Sequence, residues 1–281
     1  VTAEQSITDN YNSHISFKVE GFQVEDGQQP DFGSISVLVD GKEDLNLDAG
    51  FYDGIIAGDD GMPVRASDGS SALDENGDMM YYYVQEDGSM EFDINMNNYS
   101  EKGFFIGKDI QVELKDLGTV DKAEFTKTLE GTWSFEWTLG GADTAKTYTL
   151  NQPLGDSGAT IQTVEISPIS VYAEYNFPLQ KETITTENED GTTSESTTFK
   201  EAPALMGIKL KDGTVIKNMY MGGGVIGYQN NSSDDYVYAY ATDRIIDPDQ
   251  IAYFLFLNDT PVGDQGLTED NFYEVAVGEN Q

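Results

Sequence analysis

The chain has 281 residues, enough for one large or two ordinary domains. Its 51 acidic and 15 basic side chains give a formal charge of -36, a field that repels phosphate backbones and excludes nucleic acid as a partner. It has no cysteine and one histidine, which excludes disulfides, thiolate metal sites and cysteine nucleophiles. Hydrophobic residues make up 38% of the chain, which is enough apolar surface to build a folded core.

In the first half, alternating apolar and polar residues predict β-strands with one buried face. Asp-Gly and Asn-Gly pairs, which supply the positive φ angles of tight turns, recur between these runs. The predicted strands are 15–19, 35–39, 90–96, 110–114 and 133–139. Helical periodicity is nearly absent, and short helical turns are predicted only for the acidic segment 42–52 and near residues 270–273.

The second half has the same character. Its predicted strands are 148–150, 161–166, 171–175, 208–210, 215–216, 237–240 and 251–257, with 272–277 as an added edge strand. The Thr-rich segment 183–198 has symmetric arms around Asp190-Gly191, which favours a protruding polar hairpin over the alternative of a flexible loop.

Small residues from Gly140 to Ala145 separate two strand-rich halves, so the predicted domains are 1–141 and 142–281. Short strands without crossover helices predict an all-β fold of two tandem antiparallel β-sandwiches, of the immunoglobulin-like type. The longest apolar run has seven residues, whereas a bilayer-spanning helix needs about 20.

One glycine motif has the spacing of a dinucleotide-binding fingerprint. Gly222, Gly224 and Gly227 match G-x-G-x-x-G, but the motif must open a helix that holds the pyrophosphate. Here a polar loop ending in Asp234 and Asp235 follows it. We therefore expect a Gly-rich loop or bulge and no cofactor.

Several groups of acidic residues are candidates for a calcium site, but the sequence does not identify metal-binding residues. Asp74, Asn76 and Asp78 have the alternating oxygen ligands of a calcium loop, but Met79 and Gln85 occupy the positions that need Gly and Glu. A turn is expected there, with a weak, nonstandard calcium site as the alternative. The pairs Asp59-Asp60 and Asp234-Asp235 have the same two interpretations.

No catalytic residue is predicted. A glycosidase needs two carboxyl groups about 5 to 10 Å apart in a cleft, and sequence spacing selects no pair among the many acids. His14 lacks a nucleophile elbow and is expected to be a surface or strand-edge residue. Trp133, Phe135 and Trp137 alternate along one strand face, which favours a core stripe over a sugar-stacking platform.

The second half also carries a family resemblance. Its carriers are Gly131-Thr-Trp-Ser-Phe135, Lys146-Thr-Tyr-Thr-Leu-Asn151, Val164-Glu-Ile-Ser-Pro-Ile-Ser170, Lys211-Asp-Gly-Thr214 and Ile246-Asp-Pro-Asp-Gln-Ile251. This succession resembles the extracytoplasmic region of membrane-anchored anti-sigma-factor-like proteins of Gram-positive bacteria, the family grouped as domain of unknown function 4179. Physically, these residues form strands and turns: Pro168 should end a strand, and Pro248 should preset a turn.

The resemblance implies a noncatalytic sensor or interaction ectodomain on the outer face of the cell membrane. In that family a transmembrane helix precedes the ectodomain, and a cytoplasmic segment holds a sigma factor. Binding to a sigma factor is therefore expected only through a segment outside this chain, and the expected partner of the chain itself is an unidentified extracellular ligand or protein. The alternative is a cell-surface adhesin or carbohydrate-binding module that uses aromatics such as Tyr81, Tyr82 and Tyr83.

Overall fold

The computed structural model describes residues 1–25, 28–43, 46–52, 83–85, 87–121, 123–141, 145–187, 192–230, 232–262 and 266–278. In these residues the regular structure consists of β-strands and two short 3-10 helices, so the predicted all-β fold is confirmed. Within the same residues, no helix has the length and apolar character needed to cross a membrane. The chain divides into two compact units, Val1–Thr144 and Ala145–Gln281.

The first unit is a β-sandwich of two four-stranded antiparallel sheets. One has the strand order β1-β2-β6-β5 and the other β4-β3-β7-β8. The strands are β1 (Thr2–Thr8), β2 (Asn12–Val19), β3 (Gln29–Val39), β4 (Lys42–Glu43), β5 (Leu47–Phe51), β6 (Met90–Asn97), β7 (Asp109–Asp121) and β8 (Glu124–Thr138).

Aromatic side chains from both sheets form the core of this sandwich. Phe17 and Phe92 are fully buried, and Phe32 meets the ring of Phe92 edge-on at 4.8 Å between centroids. Burying one such side chain contributes roughly 1.5 to 3 kcal/mol. The alternation that predicts β6 corresponds to these inward-facing residues.

No helical turn is present in the described residues 42–43 and 46–52, so the helical turn predicted for the segment 42–52 is wrong there. Asp40 and Gly41 both have positive φ angles, which turns the chain so that β4 pairs back onto the end of β3. β5 then pairs with β6, and Phe51 stacks on Phe32 at 5.5 Å. The aromatic contact and the strand pairing therefore decide the local structure, although the acidic composition suggested a helix.

The second unit is also a β-sandwich, with sheets ordered β16-β17-β11-β10-β9 and β15-β14-β18-β19. A separate two-stranded sheet pairs β12 with β13. The strands are β9 (Lys146–Pro153), β10 (Thr160–Ile166), β11 (Ser170–Asn176), β12 (Lys181–Glu187), β13 (Thr193–Phe199), β14 (Leu205–Leu210), β15 (Val215–Ile216), β16 (Tyr220–Tyr228), β17 (Asp235–Thr242), β18 (Ile251–Leu257) and β19 (Phe272–Ala276).

Phenylalanines of β18 join the two sheets of this second sandwich. The ring of Phe254 meets Tyr148 of β9 at 5.4 Å, and Phe256 meets Tyr175 of β11 at 6.0 Å. Both phenylalanines are fully buried. The predicted edge strand appears as β19. The two arms of the Thr-rich segment pair as β12 and β13 in continuous antiparallel register, and the turn residues Asp190 and Gly191 lie outside the described residues.

The turns of the second unit also follow the sequence predictions. β10 ends at Ile166, directly before Ser167 and Pro168. Asp247 caps a 3-10 helix, Pro248–Gln250, by accepting a hydrogen bond from the Asp249 N–H, and β18 begins at the next residue. The second predicted turn is the 3-10 helix Glu269–Asn271 before β19.

Candidate functional site

The single histidine lies on β2 and faces β6. Its Nδ1 is 2.5 Å from the Asn95 side-chain oxygen, and its Nε2 is 3.5 Å from an Asp93 carboxylate oxygen. Neither ring nitrogen therefore faces a hydroxyl nucleophile, because one lies beside the Asn95 amide and the other beside the Asp93 carboxylate. The structure places His14 in a half-buried polar cluster on the sheet rather than in a triad.

Asp93 is the most perturbed carboxyl group of this cluster. Its side chain is 12% exposed, and one of its oxygens is buried without a hydrogen-bond partner. Burial raises the pKa of Asp93 to about 6, with His14 opposing the shift and Glu91 adding to it. The oxygen without a hydrogen bond is the one that faces His14 at 3.5 Å, and because burial disfavours the charged form, ionisation of Asp93 costs stability at neutral pH.

The aromatic stripe of β8 lies against the core, as predicted. Trp133 and Phe135 are half-buried, and the ring of Phe135 lies 5.0 Å from Phe17. Tyr83 is buried. Its neighbours Tyr81 and Tyr82 lie outside the described residues.

The calcium candidates at Asp59-Asp60 and at Asp74–Asp78 lie outside the described residues. At the third candidate, Asp234 accepts a hydrogen bond from the Leu179 N–H, and Asp235 is an exposed residue of β17. Among the residues that the structure describes, no three His, Asp or Glu side chains are grouped so that they could hold a metal ion.

The glycine motif lies within the bulged strand β16 and does not open a helix. The register of β16 against β17 shifts twice, between Tyr220 and Gly222 and between Gly222 and Gly224. A Cβ on Gly224 would lie 2.1 Å from the Ala239 carbonyl oxygen, and Gly227 has a φ of 137°. The glycines therefore let β16 approach β17 closely, which is a structural role.

The side chains of β16 present an apolar surface at the edge of the five-stranded sheet. Tyr220, Met221, Val225 and Ile226 are 37%, 45%, 47% and 45% exposed. Val225 and Ile226 are consecutive, so their side chains point to opposite faces of the sheet. Apolar side chains are therefore exposed on both faces of β16, as expected for a strand at the edge of its sheet with a neighbour on one side only.

Unpaired strand edges invite association with other chains, and proteins usually block them with charges, prolines, bulges or short length. Among the edge strands that the structure describes, β16 is unusual because its sequence carries neither a charge nor a proline. The other edges carry Glu4 (β1), Asp48 (β5), Lys42 and Glu43 (β4), four charged residues of β8, Lys146 and Pro153 (β9), Lys181 and Glu182 (β12), Glu195 (β13) and Glu274 (β19), and β15 has two residues.

The bulges protect only the first part of β16. From Gly224 to Tyr228 the register against β17 is regular, so no bulge interrupts this part of the edge. At its end the ring of Tyr228 packs on Phe177 and Phe199. We call residues 224–228 the open edge. The sequence signal for it is the uncharged stretch 218–233, the longest in the chain, whose glycines predicted a loop or bulge and not an edge strand.

Comparisons with known proteins add little to this description. No protein-family profile matches the chain, and no curated protein sequence matches it. A crystal structure of a conserved domain protein from Bacillus anthracis shares 12% identity at a TM-score of 0.38, covering 93% of this chain and 75% of that one. A structure named BspA_C_mut shares 12% identity at a TM-score of 0.12, covering 90% and 83% of the two chains.

Proposed function

We propose that this chain is a noncatalytic binding module that captures an extended segment of a partner protein as an added strand beside β16. The single observation that carries the proposal is the open edge: a strand edge without charge or proline, flanked by exposed apolar side chains. Strand addition supplies main-chain hydrogen bonds for affinity and alternate side-chain contacts for specificity.

The chemistry of the edge defines the partner. Val225 and Ile226 favour a strand with apolar, β-branched residues, because such side chains fill the space on both faces of the sheet. The net charge of -36 attracts basic residues and repels a second copy of the same chain. We therefore commit to a heterologous partner whose apolar strand is flanked by lysine or arginine.

Strand capture would provide a mechanism for the sensor or interaction role that the family resemblance implies. In our proposal the chain is the extracytoplasmic part of a membrane-anchored, anti-sigma-factor-like regulator, and capture of a partner strand changes protease access to the membrane-proximal stalk. A full-length protein that stays uncleaved while its sigma factor becomes active would contradict this regulatory part.

The alternative, a carbohydrate-binding module, needs a flat array of exposed rings. Among the described residues, the most exposed tyrosines are Tyr52, Tyr220 and Tyr253. Tyr52 belongs to the first unit, and the other two belong to different sheets of the second unit. Since these rings form no common platform on a sheet, we prefer strand capture.

The test uses a peptide of alternating valine and threonine with two lysines at each end. Binding is followed by fluorescence anisotropy, and hydrogen exchange reports which amides become protected. We expect protection of residues 224–228. Ile226→Lys should weaken binding by roughly tenfold or more, because a charge at the interface must lose water.

Leu129→Lys is the matched control, since Leu129 is 48% exposed on the edge strand β8 of the other unit. It should leave binding of the peptide unchanged. Equal loss in both variants, or binding without protection of the open edge, would refute the proposal. So would dimerisation of the free protein through β16 in analytical ultracentrifugation.

A further inference from the structure

The inner face of β16 lacks a side chain at one position of the open edge. Gly224 pairs with Tyr240 of β17, and Ile226 pairs with Tyr238. Side chains of directly paired residues lie on the same face of a sheet, and both tyrosines belong to the core of the second sandwich. Gly224 and Ile226 therefore hold positions on the inner face. We call the space over Gly224 the glycine gap.

Large side chains border the glycine gap along β16 and β17. Tyr220 pairs with Thr242, two residues from Tyr240, so it lies on the same inner face. Its ring contacts the Tyr240 ring at 5.2 Å between centroids. Tyr220 is 37% exposed and Ile226 is 45% exposed, so both keep uncovered apolar surface. The remaining side of the gap is the free edge of β16.

The close approach of β16 to β17 keeps this gap open. The three heavy atoms nearest to a Cβ at Gly224 are backbone atoms of Ala239 and Tyr240, and the nearest is 2.1 Å away. A side chain at position 224 would therefore collide with β17, which is a common reason for glycine inside a strand. Gly224 is also an exposed residue, so the gap is accessible to a ligand at the free edge.

A partner strand added beside β16 would place one of its own side chains opposite Gly224. Directly opposed Cβ atoms in a sheet are about 4.5 to 5.5 Å apart, and aromatic side chains also reach diagonal neighbours about 7 to 8 Å away. A valine at that position is too short to cover the glycine. A phenyl ring can lie over Gly224 and contact the rings of Tyr220 and Tyr240, and an aromatic residue across from an edge glycine stabilises sheets in this way.

We propose that the partner segment carries an aromatic residue opposite Gly224, on the inner face of the strand that β16 captures. This inference rests on the proposed strand capture and names the residue by which the open edge selects its partner. Two positions along the partner strand, on the same face, a β-branched residue lies opposite Ile226. The recognised segment is therefore an apolar strand with an aromatic and a β-branched residue at i and i+2.

Two peptides test the inference on the whole chain. One is the valine-threonine peptide with two lysines at each end, and the other has phenylalanine in place of its central valine. In fluorescence anisotropy the phenylalanine peptide should bind at least about threefold more tightly. In NMR spectra the ring current of the phenylalanine should shift the Hα resonances of Gly224 upfield, and the valine peptide should not. This shift is measured on the unmodified chain, so it does not depend on the folding of a variant.

Tyr220→Leu removes one ring that borders the gap. It should reduce the preference for phenylalanine to less than twofold and leave the affinity for the valine peptide within about twofold. Tyr253→Leu is the matched control, because Tyr253 is also 37% exposed but lies on β18 of the other sheet, where its ring contacts Lys209. This control should keep the full preference for phenylalanine.

The outcomes separate this inference from strand capture itself. If both peptides protect residues 224–228 with equal affinity, the aromatic preference is wrong and strand capture stands. If neither peptide binds, both proposals fall. A preference for phenylalanine that persists in Tyr220→Leu, without a shift at Gly224, would place the ring at another site and would overturn the inference.

Discussion

Replacing Asp93 by asparagine should stabilise the first unit, and more so at high pH than at low pH. In the folded state the pKa of Asp93 is raised from 3.8 to about 6. Between these two values the folded state holds a proton that the unfolded state has released, so stability falls as pH rises through this window. Above the window the full cost is about 3 kcal/mol, from a shift of roughly two pKa units at about 1.4 kcal/mol each.

Asparagine keeps the shape of the side chain and cannot ionise, so Asp93→Asn should remove this cost. At pH 8 the variant should be more stable by up to about 3 kcal/mol, and at pH 5, where part of the cost is already relieved, by roughly half of that amount. Urea unfolding at both pH values measures the difference. The pH 5 condition remains above the isoelectric point of about 4.1.

In so acidic a chain, removing any negative charge reduces repulsion and can stabilise the fold. The control variant must therefore remove one negative charge at a site where burial has no effect. Asp48→Asn, at an exposed carboxylate of the neighbouring strand β5, makes the same change in net charge. We expect it to stabilise by less than about 0.5 kcal/mol, as surface changes usually do. Equal gains in the two variants, or a gain for Asp93→Asn that does not depend on pH, would refute the reasoning.

Two further predictions concern the second unit and a matched site in the first. Gly224→Ala should lower the free energy of unfolding in urea by about 2 kcal/mol or more, because its Cβ would lie 2.1 Å from the Ala239 carbonyl oxygen. Gly50 is a strand glycine with open space around it, so Gly50→Ala should change this free energy by less than about 0.5 kcal/mol. Shortening the exposed hairpin by deleting residues 183–197 should leave Tm within about 3 °C by calorimetry, since the β12–β13 sheet pairs with no other strand in the described residues.

Much of the fold could be predicted from the sequence because burial in a sandwich follows a period of two residues. Residues 90–96 alternate in sequence, and in β6 Met90, Phe92, Ile94 and Met96 are buried. The Asp40-Gly41 pair likewise forms a turn with positive φ angles. These features are local, so they can be predicted without knowing which strands pair with one another.

The functional candidates depend on long-range pairing and were less accessible. Nothing in residues 218–233 shows that β16 ends its sheet, because that position follows from β17 pairing with β11 on its other side. The ion pair between Lys146 and Asp249 likewise joins residues that are 103 positions apart in the sequence. The segment 42–52 failed for the same reason, since its strands depend on contacts with β3 and β6.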